Sequence, residues 1–426
     1  MSLDARINLP NIEVKAMIYN ETECLRACAE FPSLARSLNG QPIAFLDGPG
    51  GTQVPESVLI AIRDSYIERN ANFDGLFSTS IDVSAAVADA RSAVADFLGA
   101  ESGTDISFGA NMTTLNFALS HALVRGMRPG DEVVITQLDH EANRGPWLNL
   151  MERGIVVREV KLNPDGHLDP DDFAHQVNSR TRVVALGIAS NSIGTVTALD
   201  QARALCAEVG AYLVVDAVHY AAHFPFDVLA LGVDFLLCSA YKFYGPHVGI
   251  LYARAGLLEQ IEPDFLRTQK SVAPYRIETG TLNHAALAGV HAALEYLEKW
   301  GTGGSRRTRL ISAMQGLHHY ETELAKYYYD SVKGIAGVTV WGPEFDASPR
   351  APTVSITLAN QTPAQTAKAL ADKGLQVWHG HFYALKVLEV LGLADSGGLL
   401  RVGISMYNSR LEIDRLLENI ETIART

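Results

Sequence analysis

Between about residues 84 and 254, short unbroken apolar runs alternate with stretches in which apolar residues recur every three or four positions. The first pattern predicts strands buried on both faces, and the second predicts helices that lay one apolar stripe against them. The pattern gives helix 84–99, strand 105–109, helix 113–125, strands 132–137, 156–162 and 182–189, helix 199–209, and strands 212–217, 234–240 and 249–254. Such alternation predicts an α/β architecture, a mostly parallel sheet between helix layers, with ligands received at the C-terminal ends of the strands. A helical pattern over 284–300 leads out of this region, and the cluster Gly301-Thr302-Gly303-Gly304-Ser305 marks a boundary or hinge. Beyond it, a long helix at 305–332 and strand-like runs at 337–341, 352–358, 375–378 and 399–404 predict a smaller α+β unit. The expected organisation is an N-terminal segment 1–37 packing on the small domain, a large domain 38–300 and a small C-terminal domain 301–426.

A chain of 426 residues suits two domains with ample core. Lys plus Arg number 35 against 48 for Asp plus Glu, a formal charge of −13, which argues against a nucleic acid or an anionic membrane as partner. No apolar run approaches the ~20 residues of a membrane span, and residues 1–20 lack the charged-then-apolar layout of a signal peptide, so a cytoplasmic location is expected. Of the four cysteines, Cys206 falls in an amphipathic helical pattern and Cys238 in a buried strand, as small core residues do. Cys24 and Cys28 are four apart, neither a redox nor a zinc spacing, and no metal site is expected.

The candidate chemistry lies at the ends of the predicted strands. Lys242 follows the apolar run Phe235–Ser239 and precedes Gly245-Pro246, which turns the chain. A lysine so placed, with its charge suppressed, is positioned to hold an aldehyde cofactor as a Schiff base; a lone lysine in a loop is more commonly just solvated. Asp216 closes the run Ala211–Val215, and a carboxylate there is expensive without a partner. A protonated pyridine nitrogen is one such partner, and a cap on the next helix is the alternative. The interval from 216 to 242 is 26 residues, room for one more helix and strand, so Lys242 returns beside Asp216. His140 follows strand 132–137, at a place to stack on an aromatic ring or to bond within its loop. Asn111 and Met112 stand between a strand and a helix, where backbone amides meet a phosphate and where ordinary capping leaves the same trace.

Six motifs then occur in order: Phe45-Leu46-Asp47-Gly48-Pro49-Gly50-Gly51, Asp139-His140-Glu141-Ala142-Asn143, Ser190-Asn191-Ser192-Ile193-Gly194-Thr195, Ser239-Ala240-Tyr241-Lys242, Arg276–Thr281 and Arg401–Asn408. Together they resemble the class V aminotransferase family, of fold type I among pyridoxal 5'-phosphate (PLP) enzymes, and within it the group II cysteine desulfurase and selenocysteine lyase branch. The resemblance implies a large domain with a seven-stranded, mostly parallel sheet and a smaller α+β C-terminal domain. It makes Lys242 the Schiff-base lysine, Asp216 the partner of the pyridinium and His140 the stacking ring. Asn191 and His219 fall near the phenolic oxygen, His219 standing where the branch usually carries glutamine. Ser239, Tyr241 and the amides of Asn111 and Met112 fall at the phosphate, Tyr241 replacing the usual histidine. Thr281 would reach the phosphate of a neighbouring subunit, which implies a homodimer. Arg401 would take the α-carboxylate of an amino acid, since a guanidinium fork matches a carboxylate through two parallel hydrogen bonds.

The sequence departs from that branch at Gly380-His381-Phe382-Tyr383-Ala384, where the resemblance expects Gly-His-His-Cys-Ala. Tyr383 takes the cysteine's place, and a phenol forms no persulfide. The expected function is therefore a PLP-dependent enzyme acting on an amino acid, aminotransferase-like and not a persulfide-forming desulfurase. Cysteine or selenocysteine lyase-like and epimerase activities, and a catalytically silent scaffold, are the alternatives. His381 and Tyr383 either act as acid, base or substrate contact, or simply line the pocket.

Overall fold

The structure is a computed structural model that describes residues 18–425; residues 1–17 of the expected N-terminal segment lie outside the described residues. Seven strands build the central sheet: β1 (Ile106–Gly109), β2 (Glu132–Thr136), β3 (Val156–Val160), β4 (Thr181–Gly187), β5 (Tyr212–Asp216), β6 (Phe235–Ser239) and β7 (Gly249–Ala253). Their spatial order is β1-β7-β6-β5-β4-β2-β3. Strands β2 to β6 pair in parallel, and within this sheet β7 runs antiparallel to both its neighbours, β6 and β1. Antiparallel neighbours need no crossover helix, so the β6–β7 connection, which carries Lys242, is a short turn. The central strands are apolar on both faces because helices cover both; Leu213, Val214 and Val215 of β5 are all buried. Each such side chain contributes about 1.5–3 kcal/mol of burial, which explains the unbroken apolar runs.

Each strand of this sheet lies within two residues of its expected span. The helix expected at 84–99 starts earlier, at Ser78, because its first turn of Ser78, Thr79, Ser80 and Asp82 carries little apolar periodicity. Helices Glu56–Glu68 and Arg410–Ala424 were not among the expected elements, although the buried stripe Ile413, Leu416 and Ile420 of the second has helical spacing.

A second sheet holds β8 (Val338–Trp341), β9 (Thr353–Leu358), β10 (Trp378–Gly380) and β11 (Leu399–Gly403) in the order β8-β9-β11-β10, all antiparallel. The single strand expected at 375–378 is two pieces. Leu375–Gln376 pairs in parallel with Ala44–Phe45, whereas Trp378 and its successors pair with β11. An apolar run declares that it is extended but not which partner it takes, and here the chain changes partner at Val377. The helix Glu21–Cys28 lies against the chain after β11: Tyr19 donates to the Met406 carbonyl at 2.9 Å, and the Cys24 and Cys28 thiols meet the Asn408 and Tyr407 carbonyls. Among the described residues no helix is long and apolar enough to cross a membrane.

Candidate active site

Parallel pairing sets Asp216 of β5 opposite Leu237 of β6, so the C-terminal ends of both strands open on the same edge of the sheet. The ends of β1, β2 and β4 reach that edge as well, followed by Asn111, His140 and Asn191. One cavity there is lined by Asn111, Met112, His140, Asn191, Asp216, His219, Ser239, Tyr241 and Lys242. A second, contiguous with it, shares His140, Asn191, Tyr241 and Lys242 and adds Asp47, Trp378, Tyr383 and Arg401. Two expected residues, Thr281 and His381, line neither. Thr281 is exposed ahead of helix His284–Glu298. His381 is also exposed, its Nδ1 tied down by the Tyr383 N–H at 3.0 Å.

Burial governs the electrostatics. The Lys242 amine donates to the Pro49 carbonyl and lies 4.7 Å over the Tyr241 ring. Desolvation and then the Arg401 charge push it down to about 7, against opposing pulls from Asp216 and Asp47. Asp216 is 8% exposed and accepts the Val218 N–H at 2.9 Å; burial, with Asp139 adding to it, pushes its carboxyl up to about 7. His140 is driven down to about 4 by burial, then by Lys242 and Arg401, so it is neutral at physiological pH, and its Nδ1 accepts the Ala142 N–H at 3.0 Å. The adjacent Asp139 ties the ends of β2 and β4 together, accepting from Thr136 N–H at 2.9 Å and Gly187 N–H at 2.6 Å.

The helix Met112–Val124 begins at the cavity, and its first amide donates to Ser239 Oγ at 3.0 Å. The Asn111 side chain caps the same helix through the Thr114 N–H at 2.9 Å. The capping expectation and the phosphate expectation therefore describe one feature, because a capped helix start still presents a positive dipole end.

The opposite wall comes from the second sheet. Arg401, within β11, is 2% exposed; its Nη1 donates to the Asn191 carbonyl at 2.9 Å and its guanidinium stands 4.2 Å from the centre of the Phe382 ring. Among the described residues its buried Nε has no hydrogen-bond partner, and neither does Asp47 Oδ1. Burial lowers Arg401 to about 9, which leaves it charged at neutral pH. Residues 46–50 run beside β11, with the Gly403 N–H donating to Leu46 at 2.8 Å. A Cβ on Gly403 would stand 1.9 Å from Pro49 Cδ, so only glycine lets Pro49 lie there and present its carbonyl to Lys242. Phe382 and Tyr383 both adopt left-handed backbone, φ 51° and 57°. Their carbonyls are held by Asn191 Nδ2 at 2.9 Å and the Glu141 N–H at 2.7 Å.

Pro49 and Phe382 lie inside segments that stood out in the sequence, but neither had a role of its own there: Pro49 acts through a carbonyl that every residue has, and the place of the Phe382 ring depends on where its loop closes.

The donor set fits one kind of molecule. A helix start suits a phosphate, a buried carboxyl pushed up to about 7 calls for a cationic N–H, a flat imidazole lies nearby, and a half-buried amine is brought down to about 7. The class of protein is thus a PLP enzyme of fold type I. The model of the class V aminotransferase family matches residues 44–416; the chain belongs to that family, and its cofactor is pyridoxal 5'-phosphate. It is similar to a cysteine desulfurase of Klebsiella pneumoniae, 30% identical over 413 residues that cover 93% of this chain and 97% of the relative. A cysteine desulfurase from Thermococcus onnurineus NA1 matches with a TM-score of 0.86 at 24% identity, over 96% of this chain and 99% of the other. The cysteine desulfurase CsdA from Escherichia coli matches with a TM-score of 0.82 at 25% identity, over 94% and 98% of the two chains.

Proposed function

We propose that this protein acts on a small-molecule amino acid held between Lys242 and Arg401, in the manner of a class V aminotransferase, and that it forms no persulfide. One observation carries the reading: a half-buried amine and a buried guanidinium whose Nε has no hydrogen-bond partner among the described residues line contiguous cavity space that none of the four cysteines reaches. Cys24, Cys206 and Cys238 are buried elsewhere, and Cys28 is half-buried against the Tyr407 carbonyl. Tyr383 stands at the cavity mouth, 66% exposed.

In this reading Lys242 is the attachment point, Asp216 holds the ring nitrogen protonated and His140 covers the ring face. Asn191 and His219 face the phenolic oxygen, while Ser239, Tyr241 and the amides of Asn111 and Met112 hold the phosphate. When bound, the cofactor supplies an electron sink that acidifies the substrate Cα–H. Arg401 receives the α-carboxylate and so fixes which Cα bond faces Lys242. An amine brought down to about 7 is free base often enough to take the Cα proton and acid enough to return it. Tyr383, with His381 behind it, contacts the outer part of the substrate. We also read the assembly as a homodimer, because the exposed Thr281 falls outside its own chain's cavity and is free to reach that of a second copy. The charge balance and the membrane finding suit a cytoplasmic enzyme.

The test is a panel of amino acids given to the purified protein, following the visible band of the bound cofactor and the products. A keto acid formed as the band is lost supports the reading. Alanine with zero-valent sulfur or selenium, recovered as sulfide or selenide once an added thiol reduces it, supports a lyase instead, a second reading favoured by the relatives named cysteine desulfurase. Inversion at Cα would mean an epimerase, and no product from protein carrying the cofactor would mean a scaffold.

A further inference from the structure

His219 lines the inner cavity beside Asp216 and Lys242. It is 4% exposed, and burial, followed by the neighbouring His223, Arg401 and Lys242, holds it well below the ordinary imidazole range. The ring is therefore neutral, with one N–H and one bare nitrogen, and something must decide which nitrogen carries the proton.

The deciding contact comes from the other sheet. Nε2 of His219 lies 3.0 Å from Oγ1 of Thr353, the first residue of β9, which is fully buried at 0% exposure. Among the described residues the Thr353 hydroxyl has no other hydrogen-bond partner. If Nε2 carried the proton, it would donate to Oγ1 and leave the hydroxyl hydrogen buried without an acceptor. The opposite arrangement, Oγ1–H donating to a bare Nε2, satisfies both atoms and places the ring proton on Nδ1. On its other side His219 is braced edge-on by His223 at 5.1 Å, and His223 Nδ1 is itself bonded to Glu321 Oε2 at 2.8 Å. The ring is thus held against Thr353 rather than free to turn away.

We propose that Thr353 is a positioning residue that sets the tautomer of His219, so that the small sheet makes Nδ1–H the hydrogen-bond donor offered to the cavity. The consequence for the cofactor rests on the reading above: only this tautomer can donate to a phenolic oxygen. The tautomer itself does not depend on that reading.

The test uses the full chain labelled with nitrogen-15 histidine and long-range proton–nitrogen correlation, which separates Nδ1–H from Nε2–H rings. It is run with and without PLP, and His219→Gln identifies the resonance. The expected result is an Nδ1–H pattern for His219 in the wild type and in Thr353→Ser, lost to a mixed or Nε2–H pattern in Thr353→Val. An Nε2–H pattern in the wild type, or an unchanged Nδ1–H pattern in Thr353→Val, overturns the proposal. Should Thr353→Val not fold, the wild-type pattern still decides. Borohydride labelling at Lys242 is followed separately, so that an unlabelled lysine counts against the cofactor assignments alone.

Discussion

The wall of the cavity that carries Asp216 and Lys242 and the wall that carries Arg401 and Tyr383 are held by different means. The first is an edge of the seven-stranded sheet, where parallel ladders fix the backbone, Asp216 takes the last ladder position of its strand and Lys242 follows that of the next. In the second, the Arg401 backbone is laddered to Ser355 and Trp378, but its guanidinium is placed by single long-range contacts, to the Asn191 carbonyl and over Phe382, and Tyr383 lies in a loop with two left-handed non-glycine residues pinned by its carbonyls. A non-glycine residue in that conformation costs about 1–2 kcal/mol, which the pinning contacts must offset. The lesson is that the regular wall suits the steps common to the family, while the irregular wall is where one member can differ from another without disturbing the sheet.

The largest effect should come from the regular wall. Lys242→Ala should lower turnover of any accepted amino acid by roughly 10³-fold and abolish borohydride labelling of the peptide holding position 242. Persistence of both would remove this wall from the chemistry. Arg401→Ala should next raise KM by roughly 10- to 100-fold through loss of charge-assisted hydrogen bonds, with kcat changed less. Arg401→Lys should not restore binding, because an ammonium lacks the planar fork. Unaltered turnover of every amino acid in Arg401→Ala would show that the second wall holds something else.

A smaller effect concerns stability of the cofactor-free protein. Asp216 titrates at about 7 when folded against an ordinary value of 3.8, so between those limits the folded chain holds a proton that the unfolded chain has lost. Its contribution is therefore full below about pH 4 and declines as pH rises to about 7, by at most about 1.4 kcal/mol per unit. Denaturant melts should show wild type losing ground to Asp216→Asn across that range, and bound cofactor should reduce the difference. Parallel stability curves would mean that the carboxyl is not held protonated. The smallest effect belongs to the strained loop: Tyr383→Asn, a residue more tolerant of left-handed backbone, should raise stability by up to about 1 kcal/mol. A loss of that size would show that the Tyr383 ring, 5.5 Å from His140, contributes more than its backbone costs.

The division between what was legible in the chain and what was not follows the same two walls. Apolar runs set the strands of the large sheet, and Asp216 at the end of one and Asn111, His140, Asn191 and Lys242 just after others were recognisable because strand ends in a parallel sheet converge. Arg401 was legible as an arginine inside an apolar run, but the Phe382 ring beneath it was not, since that contact depends on where a loop closes.

Periodicity and motif order, which act over a few neighbouring residues, determined the architecture, the family and the residues to suspect. Only the tertiary structure decided that the run at 375–378 divides between two partners, that His381 stays outside the cavity, that Pro49 turns its carbonyl to Lys242 and that Thr353 meets His219. Each of these is a choice among partners far apart in sequence, made by the shape of the space left when two sheets meet, and no local pattern of side chains encodes that shape.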